Sequence, residues 1–105
     1  MKILRPGHQY ELDNFEANAL GLNQVIQFIE KEPVAEGSPQ LKTVRNGTTN
    51  EEVLRVLIDR LNSLQAKFPC RENAIVITKL EESLMWLEKR TKDRAIRGVE
   101  GKHIK

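Results

Sequence analysis

Arg90 and Arg94 stand four residues apart, so a helix through them stacks two guanidinium groups one turn from each other. Planar forks of N–H donors engage phosphate oxygens two at a time, and the chemistry open to this pair is capture of phosphates. Trp86, one turn before Arg90, offers a flat face for a purine or a cation–π partner for the guanidinium. The same spacing fits a second reading, in which the arginines form a solvated face and Trp86 packs in a core or an interface. Asn73 either caps a helix or presents its amide to a base. At Gly47-Thr48-Thr49-Asn50 a helix start either receives an anion or is simply capped by its own threonines. Lys102 and His103 read as a loose tail or as part of a site.

Other chemistries find less support. The histidines are His8 and His103 and the single cysteine is Cys70, none at the close spacing of a zinc site, so neither a metal nor a cofactor is expected. No serine or cysteine elbow with a neighbouring base is legible. The carboxylates have ordinary explanations: Glu51 and Glu52 suit a helix N-terminus, while Glu88 can pair with Lys92 and Lys89 with Asp93 at i, i+4.

The elements that position these residues follow from periodicity and punctuation. From Cys70 onward, Ile77, Leu80, Leu84 and Leu87 recur every three or four residues, which predicts one long amphipathic helix with Gly98 as its stop. Beside that apolar stripe runs a second one of Lys79, Ser83, Trp86, Arg90, Arg94 and Arg97. An earlier helix is expected after Gly47, with Thr48 or Thr49 as cap and Glu51 or Glu52 three residues on. Its apolar face is Leu54, Leu57, Ile58, Leu61 and Leu64, and it ends near Phe68-Pro69, because the residue before a proline is pushed out of the helical region. So short a link makes the two helices an antiparallel hairpin. Before them lie strand signals at Tyr10–Leu12, Val25–Ile29 and Leu41–Val44, separated by Pro- and Gly-containing breaks. The residues Gln24 to Glu32 also match helical spacing; strand is the reading adopted.

The fold class is therefore α+β: a small N-terminal antiparallel sheet over residues 1–46, then a helical hairpin and tail over 47–105. A chain of 105 residues makes only a marginal core, and the hairpin leaves Val53, Val56, Val76, Met85 and Trp86 beyond its main stripe. Self-association in closed symmetry would cover them. A formal net charge of +2 from 17 basic and 15 acidic residues does not coat DNA nonspecifically, so any anion site is local. No apolar run approaches the roughly 18 residues of a membrane span, and the N-terminus lacks a signal-peptide core. A cytosolic protein is expected.

The stretch from Asn73 through KLEESLMWL at Lys79–Leu87, the RTKDR unit holding Arg90 and Arg94, and RGVEG at Arg97–Gly101, with GTTNEEVL and LIDRL between Gly47 and Leu61, resembles the hairpin family of phage anti-defence sponges. This family comprises the Thoeris anti-defence proteins and relatives that block the cyclic-oligonucleotide system CBASS. The β-like N-terminus with QVIQFIEKEPV points to the Thoeris branch. The resemblance implies a non-enzymatic homo-hexamer, acting in the host bacterial cytoplasm, that sequesters glycocyclic ADP-ribose and in relatives cyclic di- or trinucleotides, in pockets between protomers. It implies that Arg90 and Arg94 grip the diphosphate and that Asn73 holds the adenine part. Arg97, Gly98, Gly101 and His103 are assigned to a second, trinucleotide pocket. One departure is visible: Ser63 stands where such relatives often carry an aromatic residue that stacks on adenine. Either Phe68, Trp86 or a neighbour's Tyr10 takes that part, or the signal differs. Outside the resemblance, a small nucleic-acid-binding regulator, an oligomeric adaptor for an acidic protein and an enzyme hydrolysing the same signal are the competing classes.

Overall fold

The computed structural model describes residues 1–17, 19–98 and 102. They form two compact units, Met1–Thr49 and Asn50–Lys105, and the class is α+β as expected: antiparallel strands, then two helices. His103, Gly101 and their tail neighbours Val99 and Glu100 lie outside the described residues.

In the first unit Pro6-Gly7 makes a tight turn, with Gly7 at φ +78° and the His8 N–H donating to the Arg5 carbonyl at 2.9 Å. It joins β1 (Lys2–Arg5) to β2 (Gln9–Glu11), paired Ile3 to Tyr10 and Arg5 to Gln9 across a bulge. β3 (Val25–Gln27) pairs on the other side of β2, Tyr10 opposite Ile26. β4 (Glu30–Pro33) and β5 (Leu41–Arg45) make a separate antiparallel pair. The single expected sheet is thus two, and the expected strand Val25–Ile29 is broken after Gln27. The cause is a backbone switch at Phe28, which leaves the β2–β3 ladder for a parallel bridge to Thr48. Thr48 donates to the Gln27 carbonyl at 2.8 Å and its own carbonyl accepts from Ile29 at 2.9 Å. Gly47 is required there by space. A Cβ at that position would run into the Gln27 carbonyl oxygen and lie 2.7 Å from the Phe28 carbonyl carbon.

Among the described residues this unit has no buried apolar side chain. Tyr10 and Phe28 meet edge to face with centroids 6.0 Å apart. The buried residue is Glu30, whose carboxylate accepts from Arg5 Nε and Nη2 at 3.0–3.2 Å and from Arg45 Nη1 at 3.4 Å. A carboxylate withdrawn from water needs such donors, and the Arg5 hydrogen bonds hold its pKa below the ordinary value against the opposing effect of burial.

The second unit is the hairpin. α1 (Asn50–Lys67) begins directly after Thr49, with Glu52 three residues on, and ends at the residue before Phe68-Pro69. α2 (Arg71–Ile96) is 26 residues long. Its N-cap is Cys70, whose Sγ accepts from the Asn73 N–H at 3.4 Å, so Asn73 is the capped residue and not the cap. The link is clamped by Gln65, which donates Nε2 to the Cys70 carbonyl at 2.8 Å while its Oε1 accepts from the Cys70 N–H at 3.0 Å. Gly98 ends α2 at φ +74°, its N–H donating to the Ala95 carbonyl at 3.1 Å, the glycine stop expected there.

Ile77 is the buried apolar residue of α2, with Leu80, Leu84 and Leu87 half-buried along the same stripe. Leu54, Ile58, Leu61 and Leu64 are half-buried on α1, which has no fully buried residue. Burying a side chain like Ile77 contributes about 2 kcal/mol, modest for helices of this length. Glu88 reaches across the hairpin to Arg55 at 3.2 Å rather than along its own helix to Lys92, whereas Lys89 and Asp93 do pair at 2.6 Å. Much apolar surface stays exposed within one chain: Val56 at 61%, Met85 at 54%, with Ile75 and Val76 also open.

Candidate functional site

A helix turns about 100° per residue, so Trp86, Arg90, Arg94 and Arg97 fall within an arc of roughly 80° on the last three turns of α2. Lys89 and Asp93 flank them. Together these six side chains line a concavity of about 360 Å³. Among the described residues lining it, four cations face one carboxylate, Asp93, which is held by Lys89. The described lining at this end of the helix is therefore mostly cationic, in a chain whose total charge is only +2.

The two arginines singled out by spacing differ sharply in setting. Arg90 is exposed, whereas Arg94 is 6% exposed and donates Nη2 to the Lys102 carbonyl at 2.7 Å. A guanidinium is a planar fork of five N–H donors, and this contact fixes the fork's orientation. Trp86 is 57% exposed and does not belong to this chain's core. Arg97 lines the same concavity as Arg90 and Arg94, and Gly98 ends the helix beside it.

Asn73 lies elsewhere. It sits in the first turn of α2, 17 residues before Arg90, which at 1.5 Å per residue is roughly 25 Å along the axis. Within one chain the two cannot touch one small ligand. Near Asn73, Arg71, Ala74, Ile75, Thr78 and Lys79 line a shallower depression of about 300 Å³. A larger one of about 460 Å³ runs along α1 past Ser63, but its Arg55 is engaged by Glu52 at 3.3 Å and by Glu88, and its charges balance. Volume alone does not mark the chemistry. Lys89 and Asp93 were missed as part of the arginine concavity, although their i+3 and i+7 offsets from Trp86 already put them on its face. Among the described residues, no three His, Cys, Asp or Glu side chains gather as a metal site would require. No helix is long and apolar enough to cross a membrane.

A strand-bearing N-terminal unit followed by a two-helix hairpin with an arginine-lined end is the setting in which the family comparison falls. Residues 24–92 match the family described as Acb2/Tad1, hairpin domain, and the chain belongs to that family. It is similar to the protein named Thoeris anti-defense 1 of Bacillus phage SBSphiJ7, 57% identical over 61 residues. That alignment covers 57% of this chain and 43% of the relative, so the chain matches less than half of the relative's length. The family match takes in Asn73, Trp86 and Arg90 and ends before Arg94 and Arg97.

Proposed function

We propose that this chain is a phage anti-defence protein that binds a cyclic nucleotide immune signal and sequesters it without chemical turnover. Glycocyclic ADP-ribose is the ligand proposed first, with cyclic di- or trinucleotides as a second class. The observation that carries the reading is the concavity lined together by Arg90, Arg94 and Arg97 near the C-terminal end of α2. Such a cluster suits a diphosphate, each charge-assisted pair contributing about 1.5–3 kcal/mol. Kinship with a protein named for Thoeris anti-defence supports the biological setting, an infected host cell.

Arg97 is taken here with Arg90 and Arg94 as one phosphate-binding group. Asn73 joins the site as a residue of a second copy, since one helix cannot bring both ends to one ligand. The exposed apolar side chains Val56, Val76 and Met85 support such self-association, proposed to be hexameric. Sequestration also explains why a rigid cyclic ligand would be favoured: little of its entropy remains to be lost on binding.

Calorimetry with glycocyclic ADP-ribose tests the site. The Arg90→Ala, Arg94→Ala double variant should lose binding by at least about a hundredfold, some 3 kcal/mol, with its oligomeric mass unchanged; retained affinity would reject the reading. Heating the loaded protein should release the ligand chemically intact, and a cleaved product would mean an enzyme instead.

A further inference from the structure

We infer that the chain carries both halves of a contact between copies: a tongue on the β2–β3 loop tipped by Phe15, and a groove on the first turns of α2 that receives the tongue of a second copy. The inference rests on the self-association proposed above and assigns a surface to it. The base of the loop is held, since the Leu12 N–H donates to the Gln24 carbonyl at 2.8 Å. Asn14 donates Nδ2 to the Leu22 carbonyl at 3.0 Å and to Asn23 Oδ1 at 2.9 Å, which ties the stretch at Phe15 to the one at Leu22. So the loop is fastened while its apolar side chains go uncovered. Phe15 is wholly exposed, Leu20 is 79% and Leu22 64% exposed. Large apolar groups presented together to water mark an interaction surface, and aromatic side chains are enriched among interface anchors. The tongue is also acidic: from Pro6 to Ile29 the sequence has no lysine or arginine, and Glu16 follows Phe15 directly. Asp13 is held by the Met1 amine at 2.8 Å, which leaves Glu16 as the charge beside the ring.

The groove has the opposite character. Arg71, Ala74, Ile75 and Thr78 follow each other at helical spacing on one face of α2, with Lys79 one turn beyond Ile75. They line the depression of about 300 Å³, ample for one aromatic side chain. Ala74, Ile75 and Thr78 make its floor, all exposed within one chain. Arg71 and Lys79 bracket that floor, eight residues or roughly 12 Å apart along the axis. The ion pairs among the described residues use none of Glu16, Arg71 and Lys79. An aromatic tip with an acid beside it thus meets an apolar floor between two cations, a match in both shape and sign. Asn73 stands about 200° round the helix from Arg71, so this groove is not the face proposed for the nucleotide. Because Phe15 is wholly exposed in its own chain, its cover comes from another molecule, and a second copy supplies the matching surface. Tongue and groove are different patches, so the contact is heterologous; reciprocal exchange about a two-fold axis and head-to-tail propagation round a ring both satisfy it.

Light scattering across a dilution series tests the contact. Phe15→Asp should raise the dissociation constant between copies at least about thirtyfold, the loss expected of an anchor residue. Its far-UV circular dichroism should not change, since the ring is wholly exposed in its own chain. Ile75→Asp, which spoils the groove instead, should weaken association by as much. Mixed in equal amounts, the two variants should form species of two chains or more, because one keeps the groove and the other the tongue. Glu16→Arg should weaken association only about threefold, as charge pairs at a rim contribute little, and adding Arg71→Glu with Lys79→Glu to it should restore the mass. An unchanged mass for Phe15→Asp, or two variants that stay apart when mixed, would overturn the contact. If the unsubstituted protein is a monomer at every concentration, the self-association reading itself fails and the contact goes with it. If it is an oligomer and Phe15→Asp remains one, the tongue and groove fail alone.

Discussion

The two units of this chain use arginine in opposite ways. In the strand unit Arg5 and Arg45 converge on Glu30, a buried carboxylate that consumes both forks internally. At the end of α2, Arg90, Arg94 and Arg97 line a hollow whose one described carboxylate, Asp93, is held by Lys89. The residue type is the same. What differs is the setting: Arg5 and Arg45 close on a carboxylate inside their own unit, whereas the three on α2 line an open concavity, the proposed ligand site.

The comparison breaks most visibly through one substitution in each unit. Arg90→Gln should lower affinity for glycocyclic ADP-ribose by roughly 2–3 kcal/mol and leave the urea midpoint unchanged, because Arg90 is exposed. Glu30→Gln should do the reverse, lowering the midpoint of the strand unit and sparing affinity. Acid should mimic it. Since Arg5 lowers the folded pKa of Glu30, its stabilisation is complete above the ordinary carboxylate range and is lost as pH falls through the lowered value. Arginines stay charged throughout. Unfolding curves at neutral pH and at pH 3 check this, and a strand-unit stability independent of pH would remove Glu30 from its structural role.

A smaller effect is expected at Gly47. Gly47→Ala forces a Cβ against the Gln27 and Phe28 backbone and should cost about 1–3 kcal/mol by urea denaturation, without altering the ligand affinity of the hairpin. The smallest concerns the helix that carries the arginine concavity. Cys70→Ser puts a better acceptor at the α2 N-cap and should raise stability by about 0.5 kcal/mol, measured by thermal unfolding. A fall would show that the sulfur is held by more than the Asn73 N–H.

The helices were legible because their limits are set locally: Phe68-Pro69 stops one, Gly98 the other, and the leucine spacing carries the face between. The strands were less so. Val25–Ile29 is a continuous β-favouring run, and nothing within it says that Phe28 will exchange its antiparallel neighbours for Thr48. β1 was missed for a similar reason, since Lys2–Arg5 becomes a strand only by pairing across the Pro6-Gly7 turn. At the candidate site, spacing gave the arginine face but not the depth of each residue. That Arg94 is buried under the Lys102 carbonyl depends on where the chain goes after Gly98, and that Trp86 is open depends on how narrow the hairpin's seam is. Glu88 illustrates the same limit, because i, i+4 arithmetic cannot see a partner on another helix.

The distance from Asn73 to Arg90 has a consequence for infection as well as for geometry. If both hold one ligand, the binding unit does not exist until copies meet, and affinity becomes subject to the law of mass action in the protein itself. Early in expression, when copies are few, the signal would escape capture. Past a threshold concentration, capacity would rise more steeply than protein level, so the timing and strength of synthesis would govern protection as much as the contacts do.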